Sequence, residues 1–210
     1  LSLEIEHRTP ILLTASGELT ASDGTDADTI AYELIEGRVH FGFDPTSPAN
    51  ALITDIHLAP LNPEGLIEAF SDFTALQPIR PEDRRGTALI EAPNRGRRLA
   101  LRKFNRLQQG FLGDATLDPK DPNNWGDSFL MKRGLTVLSV GWQADAPRFP
   151  GAQRLEVPRA LNPNKTDGVV RGVARSDWVV DTPSKKLPLA VHQHTAHLAV
   201  PFESPTHRLT

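Results

Sequence analysis

Val39, Phe41 and Phe43 alternate with His40 and Gly42, a period of two that places one face of a strand against a core. Asp44-Pro45 then opens a turn. Ile53, Ile56 and Leu58 follow as the next apolar positions, ahead of the turn-forming run Pro60-Leu61-Asn62-Pro63-Glu64-Gly65. Residues 66–79 read as another extended segment, closed by Pro78 and Pro81. The pattern predicts a hairpin-like antiparallel meander in this first part of the chain. It then changes: Ala88, Leu89 and Ile90 form a compact apolar run without polar alternation, which predicts a strand buried on both faces, and residues 135–140 form a second run of the same kind. Between them Leu99, Phe104, Leu107 and Phe111 recur at loosely helical spacing, and a short helix is expected to open at Asp127 or Ser128 and close at Arg133. Asp127 or Ser128 supplies its cap, Lys132 and Arg133 face the negative end of its dipole, and Gly134 suits the left-handed residue that ends it.

Strand, helical crossover and strand in that order predict that residues 88–92 and 135–140 lie parallel in one sheet. The expected fold class is therefore α/β: antiparallel strands leading into a partly parallel sheet. Three stretches are distinguished, a β-rich segment over 1–80, the first α/β units over 81–150 and a β-rich extension over 151–210, all in one structural domain. In the last of these Val170, Gly172 and Ala174 alternate with Arg171, Val173 and Arg175, Trp178 and Val180 continue the rhythm, and residues 187–200 form a final strand candidate.

A chain of 210 residues suits a single domain or one domain with a small satellite. The formal charge of −3, with both signs interspersed, gives no electrostatic footprint for nucleic acid or anionic lipid, and the expected ligand is a small molecule. The absence of cysteine excludes disulfides and thiolate metal sites but leaves localisation open. No apolar run reaches the length of a membrane span. The chain opens at Leu1 rather than Met, which fits a processed or a truncated chain, and removal of a leader would tilt the expectation toward a secreted or periplasmic protein.

In an open α/β sheet, chemistry gathers at the carboxyl ends of the strands, so the loops after Ile90 and Val140 are the candidate site. The first runs Glu91-Ala92-Pro93-Asn94-Arg95-Gly96-Arg97-Arg98 and the second Gly141-Trp142-Gln143-Ala144-Asp145. The plainer readings are a βα turn with solvated arginines and a Trp packed over a strand end.

Gly37-Arg38-Val39 with Asp44-Pro45, Pro48 and Asn50, then Ile53-Thr54-Asp55, Leu58-Ala59-Pro60, Asn94-Arg95-Gly96 and Gly141-Trp142-Gln143 with Asp145 make up a set of strings in a fixed order. With them the chain resembles the N-terminal region of a group of bacterial "alpha/beta hydrolase domain" proteins, over most of its length up to the Trp142 segment. The resemblance implies an α/β-hydrolase fold with a serine nucleophile on a strand-to-helix elbow, acting on esters or similar acyl compounds. It also implies that the loop after an early strand supplies an oxyanion donor, which assigns Asn94, Arg95 and Gly96 to catalysis and Gly141, Trp142, Gln143 and Asp145 to the walls of the substrate pocket. Family members are longer, and the elbow, acid and His of the triad are expected beyond residue 210, in a C-terminal remainder of the same gene product or in a second chain. No metal or cofactor is implied.

A complete G-x-S-x-G elbow does not occur. Ser22 and Ser139 have only the second Gly and Ser128 only the first. They read as a loop residue, a strand residue and a helix cap. His192, His194 and His197 are close in sequence, but without a matching carboxylate nearby they read as a polar strand face rather than a metal site. Asp23, Asp26 and Asp28 lack the rest of a calcium loop. Arg95, Arg97, Arg98, Arg102, Lys103 and Arg106 suit either an anionic substrate or an exposed helix face. Two function classes remain: the front portion of a serine esterase-type acyl hydrolase, inactive alone, and a non-catalytic β-rich binding or accessory module.

Overall fold

Three long strands build the antiparallel half of the sheet: β1 (Ser2–Leu13), β2 (Ile30–Phe43) and β3 (Ile67–Pro78). The computed structural model in which they are seen describes residues 1–21, 24, 26, 28–107, 116–170 and 181–182. Two shorter strands follow, β4 (Ala88–Glu91) and β5 (Thr136–Val140), and a two-residue strand, β6 (Leu155–Glu156). Two single-turn helices, α1 (Ala100–Phe104) and α2 (Phe129–Lys132), lie in the crossover between β4 and β5. The result is a mixed six-stranded sheet of order β1-β2-β3-β5-β4, with few helices, in which β6 pairs with β3 beyond the end of β5.

The expected parallel pair is present. Ala88 aligns with Thr136 and Glu91 with Ser139, both strands running the same way, while β3 and β5 are antiparallel. Antiparallel strands do lead into a partly parallel sheet. The expectation that residues 88–90 are buried on both faces is overturned: β4 is the terminal strand of the order, and Ile90 is 69% exposed. An edge strand lacks the neighbour that would cover its side chains, so an apolar run alone did not determine its burial.

Two other expectations are corrected. Ile53, Ile56 and Leu58 do not form a strand, and the chain instead takes 3₁₀ turns at Pro48–Asn50 and Ile56–Leu58. Local side-chain bonds compete with a sheet ladder here. Asp44 Oδ1 accepts the Thr46 N–H at 2.8 Å, and Asn62 Oδ1 accepts those of Glu64 and Leu66 at 3.1 and 2.8 Å. Ser128 stands at the start of α2 but does not cap it: its hydroxyl donates to Gly17 O at 3.1 Å. The free helical N–H groups go to Asp127 Oδ1, which accepts from Phe129, and to Asn105 Oδ1, which accepts from Leu130 at 2.9 Å. Strand β1 has no counterpart in the sequence reading. Pro10 interrupts its pattern, and the strand accommodates a proline because it lies at the other edge of the sheet. Of the strand candidate over 170–180, Val170 is described and lies in no strand; its remainder, the candidate at 187–200 and the histidines at 192, 194 and 197 lie outside the described residues.

Period-two burial gives the sheet two different faces. On one, Ile11, Leu13, Tyr32, Leu34, Leu76 and Val137 pack against Leu101, Leu107, Trp125, Leu130 and Met131 of the crossover. Tyr32 donates its hydroxyl to Leu135 O at 2.9 Å, and burial, with Asp83 nearby, pushes its pKa up, so it remains a neutral donor. On the other face Ile35, Phe73 and Ala75 form a smaller cluster with Val39, Leu138 and Val140.

Candidate functional site

Because β4 and β5 are parallel neighbours, their carboxyl ends deliver the two motif loops to one place. Asn94, Arg95, Gly96 and Arg97 form a tight turn. Arg95 and Gly96 both have positive φ, 55° and 80°, and Arg97 N–H donates to Asn94 O at 3.1 Å. Two consecutive left-handed residues closed by that bond describe a type I′ turn. Glycine suits the second position without strain, whereas a long side chain at the first is unusual.

The β5 loop holds this turn from the side. Gln143 Oε1 accepts the Arg95 N–H at 2.7 Å. The Arg95 guanidinium donates to Asp145 Oδ2 at 2.8 Å and to Asp145 O at 2.7 Å. Trp142 donates its indole N–H to Pro93 O at 3.0 Å, while the residue remains 54% exposed. All four bonds join residues of one motif loop to residues of the other. Of the two central turn residues, Arg95 has its N–H committed to Gln143, whereas the Gly96 N–H has no partner among the described residues.

A buried polar seam lies below. The Gly96 carbonyl accepts the Gln153 N–H at 2.9 Å. Gln153 is buried, and its side chain donates to Thr74 Oγ1 at 3.0 Å and accepts the Ser139 hydroxyl. Ser139 is thus a strand residue with its oxygen engaged inside the sheet, as its position in an apolar run suggested. Next along the seam, Asp72 Oδ2 accepts the Arg154 N–H at 3.0 Å, and the Arg154 guanidinium donates to Ala144 O at 2.9 Å and to Ala146 O. Burial pushes the Asp72 carboxyl up, opposed by the Arg154 N–H and the nearby charge of Arg38, and reinforced by Glu156 and Glu6. Gly141 is required for a different reason: a Cβ there would stand 2.5 Å from Arg154 O, so two backbones meet where a side chain cannot fit.

Sequence reasoning missed Asp72, Gln153 and Arg154. Residues 150–154 carry no strand period, and nothing local marks Gln153 as buried. Glu91 was read only as part of its loop, yet its carboxylate accepts the Leu99 and Ala100 N–H groups and so serves the free donors at the start of α1. Of the basic run, Arg97 stacks its guanidinium over Phe149 at 4.4 Å. Asp26 Oδ1 accepts the Asp28 N–H at 3.0 Å in an exposed turn, and no cluster of metal-ligating side chains occurs among the described residues. No helix among them is long and apolar enough to cross a membrane. A groove of about 670 Å³ lies over β2, β3 and β6, lined by His40, Phe70, Glu68, Glu156 and Val157 among others, but neither motif loop reaches it. Two of its polar side chains are engaged already, His40 with Glu4 at 2.9 Å and Glu68 with Asn62 at 2.8 Å.

No protein-family model, curated protein or solved structure matches the chain.

Proposed function

We propose that the chain forms the front of an acyl-hydrolase sheet and contributes an oxyanion-binding loop, with the nucleophile supplied from outside residues 1–210. The observation that supports the reading is the turn at the carboxyl end of β4, locked on three sides and retaining one main-chain donor, Gly96 N–H, without a partner among the described residues. When an ester carbonyl is attacked, negative charge gathers on its oxygen, and an N–H already held in place stabilises it without reorganisation. The Arg95 N–H, also assigned to this role by the resemblance, is occupied by Gln143, which leaves Gly96 as the donor. Trp142, half-exposed and fixed through Pro93, remains the wall of the acyl pocket in this reading.

The reading gives the chain no nucleophile of its own. Ser71, Ser128 and Ser139 are buried, and each donates its hydroxyl to a neighbouring oxygen. The test is hydrolysis of p-nitrophenyl acetate and butyrate by the natural gene product that carries this chain, with the 210-residue polypeptide alongside. Turnover by the natural product and none by the polypeptide is the expected result. No turnover by either favours the alternative, a non-catalytic accessory module.

A further inference from the structure

Arg95 sits in a conformation that its side chain does not favour. At the first central position of a type I′ turn, Asn, Asp or Gly avoids the steric cost that a branched or long residue incurs in the left-handed region. Such a residue persists only where its surroundings over-determine it. Here the surroundings come from the loop after β5. Gln143 takes the Arg95 N–H, and the two oxygens of Asp145, one carboxylate and one carbonyl, take two nitrogens of the guanidinium at 2.7–2.8 Å. A paired hold of this kind fixes a planar group in both position and rotation, which a lysine ammonium at residue 95 would not reproduce. From below, Gln153 N–H fixes the Gly96 carbonyl.

We propose that Gln143 and Asp145 are positioning residues: they do not touch substrate but clamp the Asn94-Arg95-Gly96 turn so that the Gly96 N–H is held in one position at the end of β4. The proposal rests on the acyl-hydrolase reading and changes the roles within it, because both residues stop being walls of the pocket. Arginine is then present at position 95 for its guanidinium, since a turn of this type needs no such side chain. Asp145 and Gln143 lie two residues apart, and each addresses a different end of Arg95, the side chain and the main chain.

The two roles predict opposite kinetics. A wall residue binds substrate in the ground state and transition state alike, so its loss raises KM, whereas a misplaced oxyanion donor lowers kcat. In the natural gene product, Gln143→Leu keeps the side chain's bulk but removes the acceptor. It is expected to lower kcat on p-nitrophenyl acetate about 10- to 100-fold, the scale of an ångström-sized misplacement, with KM nearly unchanged. Gln143→Glu restores an oxygen to the Arg95 N–H and is expected to recover most of that loss. Asp145→Ala is expected to resemble Gln143→Leu.

A rise in KM at constant kcat in Gln143→Leu, or equal losses in the Leu and Glu variants, overturns the proposal. A parent with no ester turnover overturns the hydrolase reading instead. In that event amide hydrogen exchange still tests the clamp. Exchange at the Arg95 N–H is expected to quicken about tenfold or more in Gln143→Leu and to be slowed again in Gln143→Glu, and an unchanged rate overturns it.

Discussion

In the antiparallel half, β2 and β3 align continuously from Tyr32 opposite Pro78 to Phe43 opposite Ile67, whereas in the parallel half β4 and β5 align only from Ala88 to Glu91. The first half is covered by an apolar layer in which Leu13, Leu34 and Trp125 are fully buried. The second ends the sheet at β4, with Ile90 exposed. Its carboxyl ends are joined by the Arg95, Gln143, Asp145 and Trp142 bonds and by the seam through Gln153 and Arg154. The difference separates two jobs. Burial of apolar area is large and non-directional, so it fixes that a sheet forms. Hydrogen bonds contribute less each but specify geometry, so they fix the conformation of the Asn94–Arg97 turn.

Core truncation in the antiparallel half is expected to have the largest effect on stability. Leu34→Ala removes a fully buried side chain from β2 and is expected to cost about 2–5 kcal/mol in chemical denaturation. A loss below about 1 kcal/mol would mean that the apolar layer does not hold this half.

Gly141→Ala comes next, because its Cβ meets the Arg154 backbone and the strands have to shift. A loss on the order of 1–3 kcal/mol is expected, together with faster amide exchange at Arg154, whose N–H is the one Asp72 accepts. Gly96→Val is a poor probe of chemistry. With φ at 80° and Ala152 Cβ at 3.3 Å from a Cβ built there, a valine strains the turn, so lost activity would come with lost stability.

The smallest effect is a gain. The Asp72 carboxyl is pushed up by burial, so folding favours its protonated form, and the ionised form penalises the folded state as pH rises through the folded pKa. Asp72→Asn is therefore expected to raise Tm modestly at pH 7, and the gain should fade as pH falls through the ordinary carboxylate range near about 4. Thermal denaturation across that range checks it. A lower Tm for the variant at pH 7 would show that the charge of Asp72 helps to hold Arg154.

The parallel pair was legible because Ala88-Leu89-Ile90 and residues 135–140 lack the alternation of half-exposed strands, and a crossover of that length joins parallel neighbours. From that pairing alone the two motif loops had to meet, as they do. Which bonds join them was not legible. The amide of Gln143 and the N–H of Arg95 are 48 residues apart, and no local pattern specifies that one accepts from the other. The burial of Ile90 was misread because a run of apolar residues records what a strand can bury, not whether a neighbour exists to bury it. Ile56 and Leu58 were misread because Asp44 and Asn62 bond their own backbone and draw the connection between β2 and β3 into turns.

The central claim, that this chain builds an acyl-hydrolase loop for a nucleophile outside residues 1–210, is tested most directly by covalent labelling. The natural gene product and the 210-residue polypeptide are treated with a fluorophosphonate, and the modified residue is mapped by mass spectrometry. The account predicts one labelled serine in the natural product, outside residues 1–210, and none in the polypeptide. Stoichiometric labelling of a serine within residues 1–210, or no labelling of the natural product, would contradict it.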